Sequence, residues 1–171
     1  GHLTHLSLTN SELFVGINFT HHLRINEIIA THECYILYPS KTAINLSWQP
    51  LHVKKTKKAV AIFIIDSTWA CSLKMMRESQ NLHGLSHISF DNTKCSAFHI
   101  KEQPMEHCLS TIESTLSVLE LLNKWQMETI APEKLDIFLT PFHKMIEYQL
   151  TFIDNPLCNG VRYKDKKGII L

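Results

Sequence analysis

The sequence predicts an α/β domain: a mainly parallel sheet flanked by helices. Three observations predict it. Ala59-Val60-Ala61-Ile62-Phe63-Ile64-Ile65 is an unbroken run of seven apolar residues that stops on Asp66. A run so short and so rich in Ile and Val reads as a strand buried on both faces, and we take it as the central one. After Asp66 the period changes, because Trp69, Ser72, Leu73 and Met76 share one face at helical spacing. Further short strand-like runs then alternate with helical ones, the pattern of a parallel sheet with crossover helices.

Length and composition bound the class. The 171 residues fit one domain with a substantial core. With 44% apolar and 19% charged residues, the composition is that of an ordinary soluble globular protein. The net charge of +1 gives no global field for nucleic acid, so any such signal must be local. No apolar run reaches membrane-spanning length, so no membrane partner is expected. The start, Gly1-His2-Leu3-Thr4-His5, carries neither the charged nor the apolar region of a signal peptide. The five cysteines form no Cys-x-x-Cys pair, which predicts reduced thiols and a cytoplasmic setting. Of eleven histidines only His21 and His22 are adjacent, and none has metal-ligand spacing on a credible helix, so no metal is expected.

Taken in order, Thr9, Asn10 or Ser11 is placed to cap a helix through Leu13, Phe14, Ile17 and His21. Arg24 to Ala30 reads as a strand or a connector. Cys34-Tyr35-Ile36-Leu37-Tyr38 reads as a strand ended by Pro39. Lys41 to Pro50 has no clear period. The helix after Asp66 is expected to end near Gly84, with Lys74 and Glu78 spaced to pair on its surface. His87 to Phe90 and Ala97 to Ile100 read as short strands. Ser110-Thr111-Ile112-Glu113 has the form of a capping box. Behind it Ile112, Leu116, Leu119, Leu122 and Trp125 follow helical spacing. Pro132 suits a first helical turn, and Pro141 should break or kink the helical pattern that follows. Residues 154–171 form a polar, basic tail with Arg162, Lys164, Lys166 and Lys167.

Ligands of open α/β sheets bind at the carboxyl ends of strands. Asp66 stands at such an end, followed by two hydroxyls and an indole. These residues also make a plain helix cap, since Asp, Ser and Thr are the usual capping residues. No glycine-rich phosphate loop is present, and only five glycines occur, which argues against an ordinary dinucleotide or nucleoside triphosphate site.

Asp66-Ser67-Thr68-Trp69 resembles the Asp-x-Thr-Trp signature of the DTW-domain proteins. Lys74-Met75 and Arg77 stand where that family carries a basic, Met-containing helix. Leu109-Ser110-Thr111-Ile112-Glu113-Ser114 resembles its Leu-Ser-Thr-x-Glu-Ala, with Gln103-Pro104 at a fitting distance upstream. Leu37-Tyr38-Pro39 is similar to its Leu-(Phe/Tyr)-Pro strand end, and Thr9-Asn10-Ser11 to its Thr-Asn-Thr. The resemblance covers nearly the whole chain, 1–171 as one DTW-type domain, with the motifs in the right order. Ser114 replaces the common Ala, and Ser72 stands where Ala is usual. Many members carry a cysteine-rich zinc-binding segment ahead of the domain; these 171 residues hold none, through truncation or divergence.

The resemblance implies a tRNA-uridine aminocarboxypropyltransferase related to the SPOUT methyltransferases, with a carboxyl-terminal trefoil knot. Such an enzyme moves the 3-amino-3-carboxypropyl group of S-adenosylmethionine to N3 of a tRNA uridine and releases methylthioadenosine. It is expected to act as a monomer. The implied cofactor pocket comprises Leu37, Pro39, Ile65, Trp69, Ser72, Gln103, Pro104, Leu109, Ser110 and Thr111. Two other outcomes lie close by: a SPOUT-type RNA methyltransferase using the same cofactor, and a non-catalytic RNA-binding module.

The residue types suit this chemistry. Alkylating N3 removes an imide proton, and Asp66 is the carboxylate placed to accept or orient it; partial burial after a dry strand would make it a better base. An anion there also suits the cofactor's ammonium. Trp69 offers a flat wall for adenine or uracil, or simply packs in the core. Ser110 and Thr111 open a helix whose free N–H groups suit the cofactor's carboxylate. For RNA, Lys54, Lys55, Lys57 and Lys58 form the densest basic cluster, and Lys74, Arg77 and Asn10 complete the expected contacts.

Overall fold

The computed structural model describes residues 1–53, 58–92, 96 and 109–153. Four parallel strands form one sheet: β1 (Glu33–Leu37), β2 (Ile44–Asn45), β3 (Val60–Ile64) and β4 (Ser86–Ser89), in the order β2-β4-β1-β3. The register pairs Leu37 with Ile64 on one side and with Ile88 on the other. The strands therefore finish level with one another. Pro39, Asp66 and Phe90, each just beyond its strand, lie along one carboxyl edge of the sheet.

The expectation of a central strand buried on both faces is met by β1 and not by β3. Tyr35 packs with Leu46, Ile88, Val118 and Leu122 on one face. Its neighbour Ile36 packs with Phe19, Ile25, Leu82 and Leu85 on the other. That alternation is the period-2 rule with both faces covered. β3 is an edge strand among the described residues; Val60 is exposed and the rest of it is half-buried. Its apolar run still serves both faces, Ile62 in the first cluster and Phe63 in the second.

Helices cover both faces. α1 (His2–Leu6) precedes α2 (Leu23–Thr31), which replaces the expected strand or connector. The ring of His22 accepts the N–H of Ile25, and Ile25 and Ile28 enter the core at helical spacing. The helix expected through Leu13 to His21 is absent, and its backbone groups bond elsewhere. Ser11 Oγ donates to His5 O at 3.2 Å and ties off α1. Ser79 Oγ takes the N–H of Phe19 and donates to Ile17 O, both at 3.1 Å. Asn81 Nδ2 donates to Phe19 O at 2.9 Å.

α3 (Trp69–Glu78) stops at Glu78, short of the expected Gly84, because Ser79 is drawn inward and a 3-10 turn (Gln80–Leu82) follows. The expected Lys74–Glu78 pair is replaced by Arg77–Glu78 at 3.5 Å. α4 (Thr111–Lys124) follows its predicted period. Ile112 of α4 packs with Phe138, which follows α5 (Pro132–Ile137), and with Phe142 and Ile146 of α6 (Thr140–Ile153). Pro132 begins α5 as expected, and Pro141 lies in the first turn of α6, with the helix break just ahead of it. The predicted strand at Ala97–Ile100 and the basic tail lie outside the described residues.

Candidate functional site

Two segments distant in sequence meet at the carboxyl edge. The first is the turn after β3. Thr68 is the N-cap of α3, its hydroxyl accepting the N–H of Cys71 at 3.4 Å. The helix start is thus served by Thr68, which leaves the Asp66 carboxylate for other partners. The Asp66 side chain is 48% exposed, so the expected drying of the acid by its strand does not occur.

The second segment is the start of α4. Glu113 is buried and accepts at Oε2 from Ser110 N (2.8 Å), Ser110 Oγ (2.6 Å) and Ser96 Oγ (2.7 Å). This capping box fixes the first turn and sets Thr111 at its opening position. Thr111 Oγ1 donates to Asp66 Oδ1. Asp66 Oδ2 meets the amino group of Gly1. A Cβ on Gly1 would come within 2.6 Å of that oxygen, so the first residue fits closely against the acid. The carboxylate therefore accepts a hydroxyl on one oxygen and an amino group on the other.

The other predicted residues divide. Ser72 is buried in the first turn of α3, its N–H donating to Thr68 O at 2.8 Å. Leu37, Ile65, Leu109 and Ser110 are half-buried near the ends of their elements, and Pro39 is exposed beyond β1. The Trp69 side chain, Gln103 and Pro104 lie outside the described residues. Of the RNA set, Lys74, Arg77 and Asn10 are exposed. Lys58 is also exposed but lies ahead of β3, at the opposite end of the sheet from Asp66, with Nζ donating to Ala30 O at 2.8 Å. Lys54, Lys55 and Lys57 lie outside the described residues. Sequence reasoning passed over Asn45, Trp48 and Asp91, which make a bonded cluster on the carboxyl edge; a tryptophan in the aperiodic stretch 41–50 was the available signal.

Residues 1–150 match the DTW domain family. The chain belongs to the DTW-domain family. Both the Asp66–Trp69 turn and the Leu109–Ser114 segment fall within the matched residues. The DTW chain is similar to the tRNA-uridine aminocarboxypropyltransferase 2 of Drosophila melanogaster, with 27% identity over 133 residues, 78% of this chain and 49% of that protein. It is also similar to the Mus musculus protein of the same name, with 28% identity over 89 residues, 52% of this chain and 29% of that protein. The chain thus spans about half the length of the fly relative and less of the mouse one. No solved structure matches it. Among the described residues of this DTW chain, no helix is long and apolar enough to cross a membrane, and no group of three or more His, Cys, Asp or Glu side chains could hold a metal.

Proposed function

We propose that this DTW domain transfers the 3-amino-3-carboxypropyl group of S-adenosylmethionine to N3 of a uridine in tRNA, with methylthioadenosine as the other product. The observation that carries the reading is the hydrogen bond from Thr111 to Asp66, which joins the two strongest motifs of the chain at one point. The names of the fly and mouse relatives support the substrate and the transferred group.

The donor set suits the cofactor. A half-exposed carboxylate that already takes the Thr111 hydroxyl on one oxygen suits further N–H and O–H donors on the other. The cofactor's ammonium and the imide N3–H of uracil are both of that kind. The first-turn N–H groups of α4 suit a carboxylate. Leu37, Pro39, Ile65, Trp69, Ser72, Gln103, Pro104, Leu109 and Ser110 complete the proposed pocket.

S-adenosylmethionine supplies a carbon already activated by its sulfonium. The protein's task is then positioning, and two substrates held in line account for much of an acceleration. Asp66 orients the imide and receives its proton as the N3–carbon bond forms. Thr111 holds Asp66 in place from a helix start that Glu113 anchors. The same reading includes a carboxyl-terminal trefoil knot; the return of α4 to the end of β3 supports it. The test is to incubate the protein with unmodified tRNA and labelled cofactor and to identify the product nucleoside by mass. Aminocarboxypropyl-uridine is expected. A methylated nucleoside would replace this reading with methyl transfer, and no labelled nucleoside would leave a binding module.

A further inference from the structure

Trp48 is 75% exposed, yet its ring is not loose. Its Nε1–H donates to Asp91 Oδ2 at 2.7 Å. Asn45 Nδ2 donates to the other oxygen of Asp91 at 2.7 Å, and the Asp91 N–H donates to Ser47 Oγ at 3.0 Å. The indole is thus held by an acid that is itself held on both oxygens and at its backbone. Its polar atom is satisfied while most of its ring faces water. Such a ring has lost much of its freedom before any partner arrives, so stacking on it costs less ordering.

The surroundings narrow the partner. An exposed apolar protein interface would place other apolar residues beside the ring. Here the side chains bonded to the ring or to its acid are polar, Asn45, Ser47 and Asp91, although Phe90 and Leu121 lie in the adjoining groove. Beside them runs a groove of about 230 Å³ lined by Ser47, Phe90, Asp91, Glu120, Leu121 and Lys124. That volume is below the roughly 300–1,000 Å³ of most small-molecule pockets. The nearby cation is Lys124, whose Nζ lies 3.4 Å from Ser47 O and 5.0 Å over the Trp125 ring. The facing acids are Asp91, already bonded, and Glu120. A fixed, exposed aromatic face whose acid is polar-bonded, with Lys124 on the adjacent Ser47 carbonyl, matches one unpaired base of a nucleic acid, because every base has a face to stack.

Position supports this. Trp48 follows β2, at the carboxyl edge that also holds Asp66. Among the described residues β2 and β3 are the two outer strands, three spacings apart, or about 14 Å at ~4.8 Å each. Between them on the same edge stands the exposed Lys41 of the loop after β1.

We propose that Trp48 is a stacking platform for an unpaired base of the tRNA, a few nucleotides from the uridine at Asp66. This rests on the reading of the chain as a tRNA-modifying transferase. The test compares unmodified tRNA binding by wild type, Trp48→Ala and Trp48→Phe, with melting temperature and cofactor affinity measured on each. Trp48→Ala should weaken tRNA binding about tenfold, within the range seen for loss of one stacked base. Trp48→Phe should keep most of the affinity but lose the Trp48 share of the indole quenching by tRNA, leaving only that of Trp69 and Trp125. Melting temperature and cofactor affinity should not move. Unchanged tRNA affinity in Trp48→Ala overturns the platform and leaves the proposed transfer standing, provided labelled product still forms. If wild type binds no tRNA at all, both readings fall. Weakened affinity in Trp48→Phe equal to that of Trp48→Ala would mean a specific polar contact of the indole, and would also overturn stacking.

Discussion

Thr111 donates its hydroxyl to Oδ1 of Asp66 across 45 residues of chain. The hydroxyl is free to do so because the helix cap is made by Ser110 and Glu113. Thr111→Val keeps the shape and removes the donor. An exposed hydrogen bond contributes at most about 1 kcal/mol to folding. Melting should therefore shift little, while cofactor affinity or turnover falls about tenfold or more, the scale of one lost oriented contact. Calorimetric binding of S-adenosylmethionine beside a melting curve measures both. A large drop in melting temperature with intact affinity would reduce Thr111 to a structural residue.

Asp66→Asn separates charge from shape. Asparagine still accepts from Thr111 through its carbonyl, but it holds no cation and takes up no proton. Transfer should fall by roughly 100-fold or more, the usual scale for a lost acid–base group. Folding should be spared, since a half-exposed side chain at an edge is a mild place to change. Turnover within a few fold of wild type would remove Asp66 from the chemistry. Binding that fails together with turnover would assign it to the cofactor's ammonium.

Ser79 is fully buried and bridges Phe19 N and Ile17 O. Ser79→Ala leaves that buried N–H and carbonyl without their partner. The cost should be about 1–3 kcal/mol, or a melting temperature lower by roughly 2–4 °C per kcal/mol for a chain of this size. The loss should concentrate in the segment before α2, so hydrogen exchange at Phe19 should rise more than in β1. Uniform exchange would deny the local role.

That serine explains what was legible in the sequence. Elements held by local rules were readable: the Ser110–Glu113 box, the Thr68 cap, the Pro132 start and the strand ended by Pro39. The ends at which Asp66 and Thr111 stand were both legible, because each bounds a strongly patterned element; that the two side chains meet was not. Elements decided by distant partners were not. Leu13 to His21 has helix-compatible spacing, but its backbone bonds go to Ser79 and Asn81, some 60 residues away. α2 was missed because its cap is a histidine ring, an uncommon capping group. The place of β3 at an edge depends on strand order, which no single strand encodes. The Trp48 cluster needs Asp91, and only the pairing of β2 with β4 brings them together.

Tyr35 supplies a test of the sheet core. It is 3% exposed. Burial, with the hydroxyl's hydrogen bond to Glu33 Oε1 at 3.1 Å, pushes its pKa up to about 12. The unfolded value is about 10. A raised value means that the neutral phenol is favoured in the fold. Its contribution is complete below pH ~10 and is lost as pH rises from about 10 toward 12. Ultraviolet titration should show one late tyrosine that disappears in Tyr35→Phe. If all four tyrosines of the sequence ionised together near their ordinary value, the buried phenol would be disproved.

On the proposed function, tRNA would meet a chain of net charge +1, so attraction must come from local cations. Lys54, Lys55, Lys57 and Lys58 are the densest group in the sequence, but Lys58 precedes β3 and Asp66 follows it. At about 3.3 Å per residue, the eight steps from Lys58 to Asp66 put up to roughly 26 Å between them. Lys74 and Arg77 lie instead on α3, the helix that begins beside Asp66, and both are exposed. Arg77 keeps a contact with Glu78 at 3.5 Å, which an exposed pair gives up at little cost. Lys74→Gln/Arg77→Gln should therefore flatten the salt dependence of tRNA binding, each lost phosphate contact reducing the log–log slope by roughly 0.7 to 0.9. The quadruple Lys→Gln variant at 54, 55, 57 and 58 should lower the slope less. Titrations of both variants over one salt series decide between the two ends of the sheet. A larger loss in the quadruple variant would mean that the tRNA wraps the amino edge, and its path to Asp66 would then have to cross the outer face of β3.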